Sequence, residues 1–332
     1  MAKSDYKGIW VFAEQQHGKL NNTVLELLAK AQELKEHTGE EISAVLLGKD
    51  VAALADTLFA YGADNVILAE DEALSEYSAR PYEAALTQLA EKYKPSIILY
   101  GATSLGRDLA PRLMVSLKTG LTADAIDLGF DKDEVFYQTT PAYGGSILAH
   151  IVILEARPQM ATVRPMMFEP IQPREGFKGN LITETVKVVA DTDYEVLETA
   201  PKQDTGDSIE GAQVIVAGGR GIKEEADMES LNELAALLDG KVAASRPLVD
   251  NGWLPHEKQI GQSGAAVKPK YIFNIAISGS VQYQVGMQNS GCIISINHTK
   301  GAPIFDISHY GAVADYKSVV PALIEEIKSR KA

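Results

Sequence analysis

The first half of the chain alternates two hydrophobic periods. Short apolar runs, "GIWVFAE", "EISAVLLG", "ADNVILAED" and "PSIILYGAT", read as buried strands. Between them, Val24, Leu27, Leu28, Ala31 and Leu34 recur at helical spacing, and "VAALADTLFAYG", "PYEAALTQLAEKY" and "LGRDLAPRLMVSL" read as further helices. Strands parted by helices of this length predict parallel βαβ units. From Glu134 the pattern changes. "VFYQTTPAYGGSILAHIVILEARPQMATVRP" is cut into short runs by Pro141, Gly144 and Gly145, which predicts antiparallel strands. The polar stretch "ETAPKQDTGDSIEGA", 198–212, carries Pro and Gly without apolar periodicity and reads as a linker. A second alternating set follows: "QVIVAGG", the helix "MESLNELAALLDG", "YIFNIAIS", "CIISIN" and a last helix around "SVVPALIEEIKSR". The expected fold is α/β with two doubly wound parallel-sheet domains. Residues 1–197 form the first, with an added antiparallel β region, and 213–332 a Rossmann-like second.

Composition agrees and narrows the function. At 332 residues the chain suits two cores better than one, and 45% hydrophobic with 23% charged residues is the balance of a soluble globular protein. A formal charge of -14 argues against nucleic acid or an anionic membrane as main partner, because phosphate surfaces need clustered Lys and Arg. The single Cys292 rules out a disulfide within the chain and reads as a buried structural thiol in a reducing compartment. No signal-peptide h-region opens the sequence and no apolar run reaches the length of a membrane span, so the expected location is cytoplasmic.

Three polar, glycine-bearing turns follow strand signals in the second domain: "AGGRG" at 217–221, "AISGS" at 276–280 and "SINHTKG" at 295–301. The stretch "ISGSVQYQVGM" leaves its strand with Ser278, Gly279, Ser280 and Gln282 and has no acidic residue, a composition suited to an anionic ligand. Arg220 and Arg246 stand nearby in sequence. Three such turns in one domain favour a nucleotide over mere turn-making, although none is the full GxGxxG fingerprint. The six His residues have no metal-ligand spacing, and no metal site is expected. Asp306, Ser308 and His309 lack a nucleophile elbow and read as ordinary loop groups, while Arg107, Asp108 and Arg112 read as a structural ion network. No catalytic residue is assigned.

Several long motifs now stand in fixed order: "VAGGRG", "ASRPLVDNGW", "QIGQSG", "ISGSVQYQVGM", "INHTKGAPIF" and "YGAVADY", preceded by "GRDLAPRL", "TGLTADAIDL" and "QMATVRP". This arrangement resembles the alpha subunit of electron transfer flavoproteins over nearly the whole chain. The resemblance implies an FAD-carrying electron shuttle, heterodimeric with a beta subunit that has its own FAD or AMP. Its expected partners are an acyl-CoA dehydrogenase-type oxidoreductase and, in the anaerobic bifurcating branch that the chain resembles more closely, ferredoxin and NADH. By the same resemblance Arg220 lies near the diphosphate, and Ser245 with Ser278, Gly279, Ser280, Val281 and Gln282 supplies donors. Arg246 lies against the isoalloxazine, Ser263 reaches flavin N5, and Gln262 sits at the flavin edge beside Ile260 and Gly261. Asn297 and Asp315 fall at the adenosine end, and Tyr316 is a further expected cofactor-binding residue.

The chemistry of the residues fits that picture. A flavin that accepts one electron spreads negative charge over N1 and C2=O, and a fixed cation such as Arg246 stabilises it. Arg246, Ser263 and Tyr283 are the expected flavin-tuning residues. This chain has Tyr283 where many relatives have His, and His298-Thr299 where they have Lys-Asp. A neutral phenol can donate to C2=O but brings no charge. Two other classes stay open on the residues alone: a pyridine-nucleotide oxidoreductase, which needs a proton donor in its site, and a non-redox nucleotide-binding module.

Overall fold

Seven parallel strands build the first sheet, in the order Asn180–Glu184, Asn65–Glu70, Ile42–Gly48, Ile9–Phe12, Ile97–Gly101, Gln159–Val163 and Gly120–Ala125. The computed structural model describes residues 5–142, 147–193, 196 and 208–331. The chain divides into two units, Met1–Thr199 and Ala200–Ala332. In the first, alternate residues of each central strand serve opposite faces, as the two-residue period of a strand requires. Ile9, Val11, Ala44, Leu46, Ile97 and Leu99 meet the helix Asn22–Thr38 on one face. Trp10, Phe12, Val45, Leu47, Ile98 and Tyr100 meet the helices Ala79–Tyr93 and Ser104–Ser116 on the other. Burial on both faces explains why these strands read as unbroken apolar runs.

The change of pattern after Glu134 is real but divides differently from the expectation. Asp127–Phe130, Phe136–Ala142 and Ile147–Val152 form a three-stranded antiparallel sheet. Gln159–Val163 is instead a parallel strand inside the large sheet, buried along its whole length between two neighbours. Gly144 and Gly145 lie outside the described residues.

The second unit is a five-stranded parallel sheet, ordered Lys241–Ala244, Val214–Gly218, Tyr271–Ile275, Cys292–Asn297 and Tyr310–Val313. One face packs on the helices Met228–Leu237 and Tyr316–Lys331 through Val216, Ile275, Leu231, Leu234 and Val320. The other face carries no long helix among the described residues. Ile215, Ile272 and Ile293 are covered there by Ile260, Val267, Tyr283, Met287 and Ile304, which come from loops and single turns. Of the expected linker, 198–207 lies outside the described residues. Its remainder is not linker-like, since Ile209 is fully buried in this second core. Cys292 is only half-buried, at the start of its strand. No helix among the described residues is long and apolar enough to cross a membrane.

Candidate functional site

The second sheet changes direction at Val214–Gly218. The chain passes first to Lys241–Ala244 on one side, then returns to Tyr271–Ile275 on the other. Ligands of doubly wound sheets bind at such a switch, outside the carboxyl ends of the strands. A cleft of about 440 Å³ opens at that place. Arg220 enters it from the loop after the first strand, and Ser245, Arg246 and Pro247 from the turn after the second. Gln259, Ile260, Gly261, Gln262 and Ser263 form a third wall, and Ile277, Ser278, Ser280, Gln282 and Tyr283 follow the third strand. Four separate loops thus converge on one concavity.

The chemistry of this lining is one-sided. No carboxylate, His or Lys lines the cleft among the described residues, and its permanent charges are the two guanidinium groups. None of the five successive amides from Ser278 to Gln282 donates to an acceptor among the described residues. Their turn is held open from behind. Ile304 N donates to Ser278 O at 3.0 Å, Gln284 Nε2 donates to Gly279 O at 2.9 Å, and Asn297 Nδ2 donates to Ile277 O at 2.8 Å. A row of unspent donors beside two arginines matches an anionic, oxygen-rich ligand such as the diphosphate of a flavin dinucleotide. The donor set fits that cofactor.

The glycines do a different task from the one their motifs suggested. A Cβ on Gly219 would stand 2.5 Å from Ala276 O, so this residue lets the first loop pack backbone against backbone on the third strand's end. Close approach to a ligand is not what requires it.

Eleven of the sixteen expected binding residues line the cleft: Arg220, Ser245, Arg246, Ile260, Gly261, Gln262, Ser263, Ser278, Ser280, Gln282 and Tyr283. Gly279 is buried behind its turn, and Val281 is exposed but outside the lining. Asn297, Asp315 and Tyr316 do not line the cleft, and each has partners within the chain. The Asn297 amide is spent inside the chain, donating to Ile277 O and accepting from Thr299 N at 2.8 Å. Asp315 accepts from Lys317 N at 2.9 Å at the start of the last helix. Tyr316 packs on the helical face of the sheet and donates to Asp227 at 2.5 Å, on the side away from Tyr283. Burial, helped by that bond, pushes its phenol up to about 12.

Tyr283 is corrected in its chemistry. Its ring is buried with Ile272, Met287 and Ile304, and its hydroxyl donates to Asn274 Oδ1 at 2.6 Å instead of facing the cleft. Burial pushes the phenol far above its ordinary range, so it stays neutral. Arg246 is well exposed and pairs with Asp250 at 3.2 Å. Ser263 Oγ accepts from Gln259 Nε2 at 3.0 Å. Pro247, Gln259 and Ile277 also line the cleft; each lies in a motif read from the sequence but was not singled out there as a binding residue.

The corresponding switch in the first unit is filled. Glu14, just past Ile9–Phe12, accepts from Thr103 Oγ1 at 2.6 Å and Asn21 Nδ2 at 3.2 Å, and burial raises its carboxyl above the usual range. A larger concavity of about 580 Å³ lies at the opposite, amino-terminal ends of those strands, lined by Lys7, Glu40, Ser96 and Arg157 among others. Its mixed charges and its position away from the switch leave the smaller cleft as the functional candidate. Arg112 pairs with Asp108 at 3.3 Å as expected, whereas Arg107 reaches Asp124 at 3.5 Å.

Fold and cleft together define an α/β protein built like the nucleotide-binding class, with a cleft at the switch of the second sheet. Comparison with known proteins makes the class specific. The electron transfer flavoprotein domain model matches residues 9–191, and the electron transfer flavoprotein FAD-binding domain model matches 208–288. The chain is 43% identical over 329 residues to the electron transfer flavoprotein subunit alpha of Thermoanaerobacterium thermosaccharolyticum, covering 99% of this chain and all of the relative. It is 43% identical over 336 residues to that of Megasphaera elsdenii, covering 100% of this chain and 99% of the relative. A third relative, 40% identical over 98% of this chain and 78% of its own length, is the lactate dehydrogenase (NAD(+),ferredoxin) subunit LctC of Acetobacterium woodii. The chain belongs to the electron transfer flavoprotein alpha-subunit family. Membership carries flavin binding in the second unit and implies a beta-subunit partner.

Proposed function

We propose that this chain holds FAD in the switch-point cleft of its second unit and passes single electrons between a partner flavin and a dehydrogenase. The observation that carries the reading is the row of open amides from Ser278 to Gln282, in a turn whose Ser278, Ser280 and Gln282 line the same cleft as Arg220 and Arg246. The bound flavin supplies the one-electron chemistry. The chain's residues bind and orient it. Arg220 and the open amides hold the diphosphate. Ser245 adds a hydroxyl, Gln262 and Ser263 border the ring, and Arg246 offsets negative charge upon it. A cleft without carboxylate or imidazole moves electrons and has no base to move protons, which counts against a pyridine-nucleotide dehydrogenase acting on a small substrate.

The partner in this reading is a beta subunit. Ile147 and Ile151 on one face, and Leu148 and Val152 on the other, stand exposed on an outer strand of the antiparallel sheet, apolar side chains that such a subunit can cover. The NAD(+)- and ferredoxin-using name of the Acetobacterium relative favours a bifurcating complex over a simple shuttle to an acyl-CoA dehydrogenase. Purification of the chain with its beta subunit, a visible spectrum and a count of FAD per heterodimer test the core claim. The expected result is FAD on the alpha chain, lost or weakened in Arg220→Ala. A folded heterodimer without flavin absorption refutes it. Ferredoxin reduction coupled to NADH oxidation, with the dehydrogenase present, tests the bifurcating assignment separately.

A further inference from the structure

The strand runs that cross the second core carry polar side chains where apolar ones would pack. Asn274 and Ser295 are fully buried, and both point to the face that holds Tyr283. They are not isolated. Tyr283 donates to Asn274 Oδ1 at 2.6 Å, Asn274 Nδ2 donates to Ser295 Oγ at 3.2 Å, and Ser295 Oγ lies 2.7 Å from Ser308 Oγ. Ser308 donates to Ile304 O at 2.7 Å.

The direction of the chain of bonds follows from its last member. A carbonyl oxygen only accepts, so the single hydroxyl proton of Ser308 goes to Ile304. Ser295 must then donate to Ser308, and having spent its proton it accepts from Asn274 Nδ2. That leaves Asn274 Oδ1 to take the proton of Tyr283. Each hydroxyl proton is used once. The relay begins at the residue closing the Ser278–Tyr283 wall of the cleft and ends in the 303–307 turn. The same turn grips that wall directly, through Ile304 N to Ser278 O at 3.0 Å.

We propose that Asn274, Ser295 and Ser308 are positioning residues for the cofactor cleft, holding the Ser278–Tyr283 wall in register through this one directed relay. The inference rests on the reading that the cleft holds FAD. Ser308 does not line the cleft and acts through its two neighbours, Ser295 on the relay and Ile304, whose amide holds Ser278 O. Apolar side chains would fill the same volume at three of these positions. The polar set differs from them in fixing a single orientation of the Tyr283 ring and hence of the turn that presents the open amides.

The test is a double-mutant cycle in the full chain co-purified with its beta subunit, using Tyr283→Phe and Ser308→Ala. Both changes remove one hydroxyl and leave the packing nearly intact. FAD dissociation is followed by flavin fluorescence and the visible circular dichroism of the bound flavin, beside thermal unfolding. Each single variant is expected to weaken FAD about five- to tenfold and to alter the dichroism. The double variant is expected to match the worse single one, because the relay is already broken. Multiplying effects in the double variant overturn the relay, as do single variants that unfold earlier but keep parental FAD affinity and dichroism. A parent heterodimer that binds no FAD overturns the cleft reading and the positioning role together, which separates that failure from failure of the relay alone.

Discussion

Gly279 and Gly301 adopt nearly the same left-handed backbone, with φ of 82° and 81°, yet only one is crowded. A Cβ at Gly301 would meet nothing within 4 Å. At Gly279 it would stand 2.3 Å from Ile304 N and 2.5 Å from Ile304 Cα, inside the contact that braces the cleft wall. Replacing each with Ala therefore separates two terms. Left-handed backbone costs an L-residue about 1–2 kcal/mol, and this penalty is common to both. Overpacking against backbone that cannot rotate away adds about 1–3 kcal/mol at Gly279 alone. The Ile304 N to Ser278 O bond must also lengthen, which removes about 1 kcal/mol more. Gly279→Ala is thus expected to be about 2–4 kcal/mol less stable than Gly301→Ala, or roughly 6–16 °C in the unfolding midpoint for a unit of this size. Differential scanning calorimetry of the heterodimer and of the isolated full chain reads this directly. FAD binding should fall with Gly279→Ala and stay near parental with Gly301→Ala. Equal destabilisation by the two changes would show that the 303–307 turn yields freely, and would refute the claim that it holds the cleft wall.

Arg246→Ala should barely touch folding, by less than about 0.5 kcal/mol, because its pair with Asp250 is an exposed helical one. It should lower both FAD affinity and the flavin's one-electron potential, and a dye-equilibration potential equal to the parent's would remove it from the site. Tyr316→Phe should change the pH profile of stability. The Tyr316 bond, with Lys317 beside it, holds the Asp227 carboxyl below its usual range. A depressed carboxyl stabilises above the unfolded value and loses that contribution as pH falls through the folded one. The gap between variant and parent should therefore be open at neutral pH and close in acid, as denaturant titrations at several pH values would measure. At the alkaline end the phenol held up at about 12 penalises the folded state once an unfolded tyrosine begins to ionise near 10.0, so the parent should lose more stability across that interval than Tyr316→Phe, which lacks this one of several raised phenols.

Local periodicity was enough for the interior of both sheets. Runs such as "EISAVLLG" and "YIFNIAIS" are mostly apolar, with Ser43 and Asn274 as polar exceptions, because parallel strands in mid-sheet are covered on both faces. In the two parallel sheets, the strands that the pattern did not announce are Asn180–Glu184, Gly120–Ala125, Lys241–Ala244 and Tyr310–Val313, and all four are sheet edges. An edge strand is defined by its neighbour's hydrogen bonds more than by its own apolar content, and "NLITE" or "YGAV" gives little hint of that.

The cleft was legible in a similar, partial way. Its loops follow strands, contain turn residues and keep acids out, all of which are local features. Their convergence depended on the order of strands at the switch. Which side chains face the ligand depended on packing. Tyr283, Asn274, Ser295 and Ser308 are joined across steps of 9, 21 and 13 residues. No period of helix or strand links such positions. Only the stacking of one strand beside the next, with a turn folded over both, decided that the Tyr283 hydroxyl serves the core and that Asn297 and Tyr316 serve the scaffold.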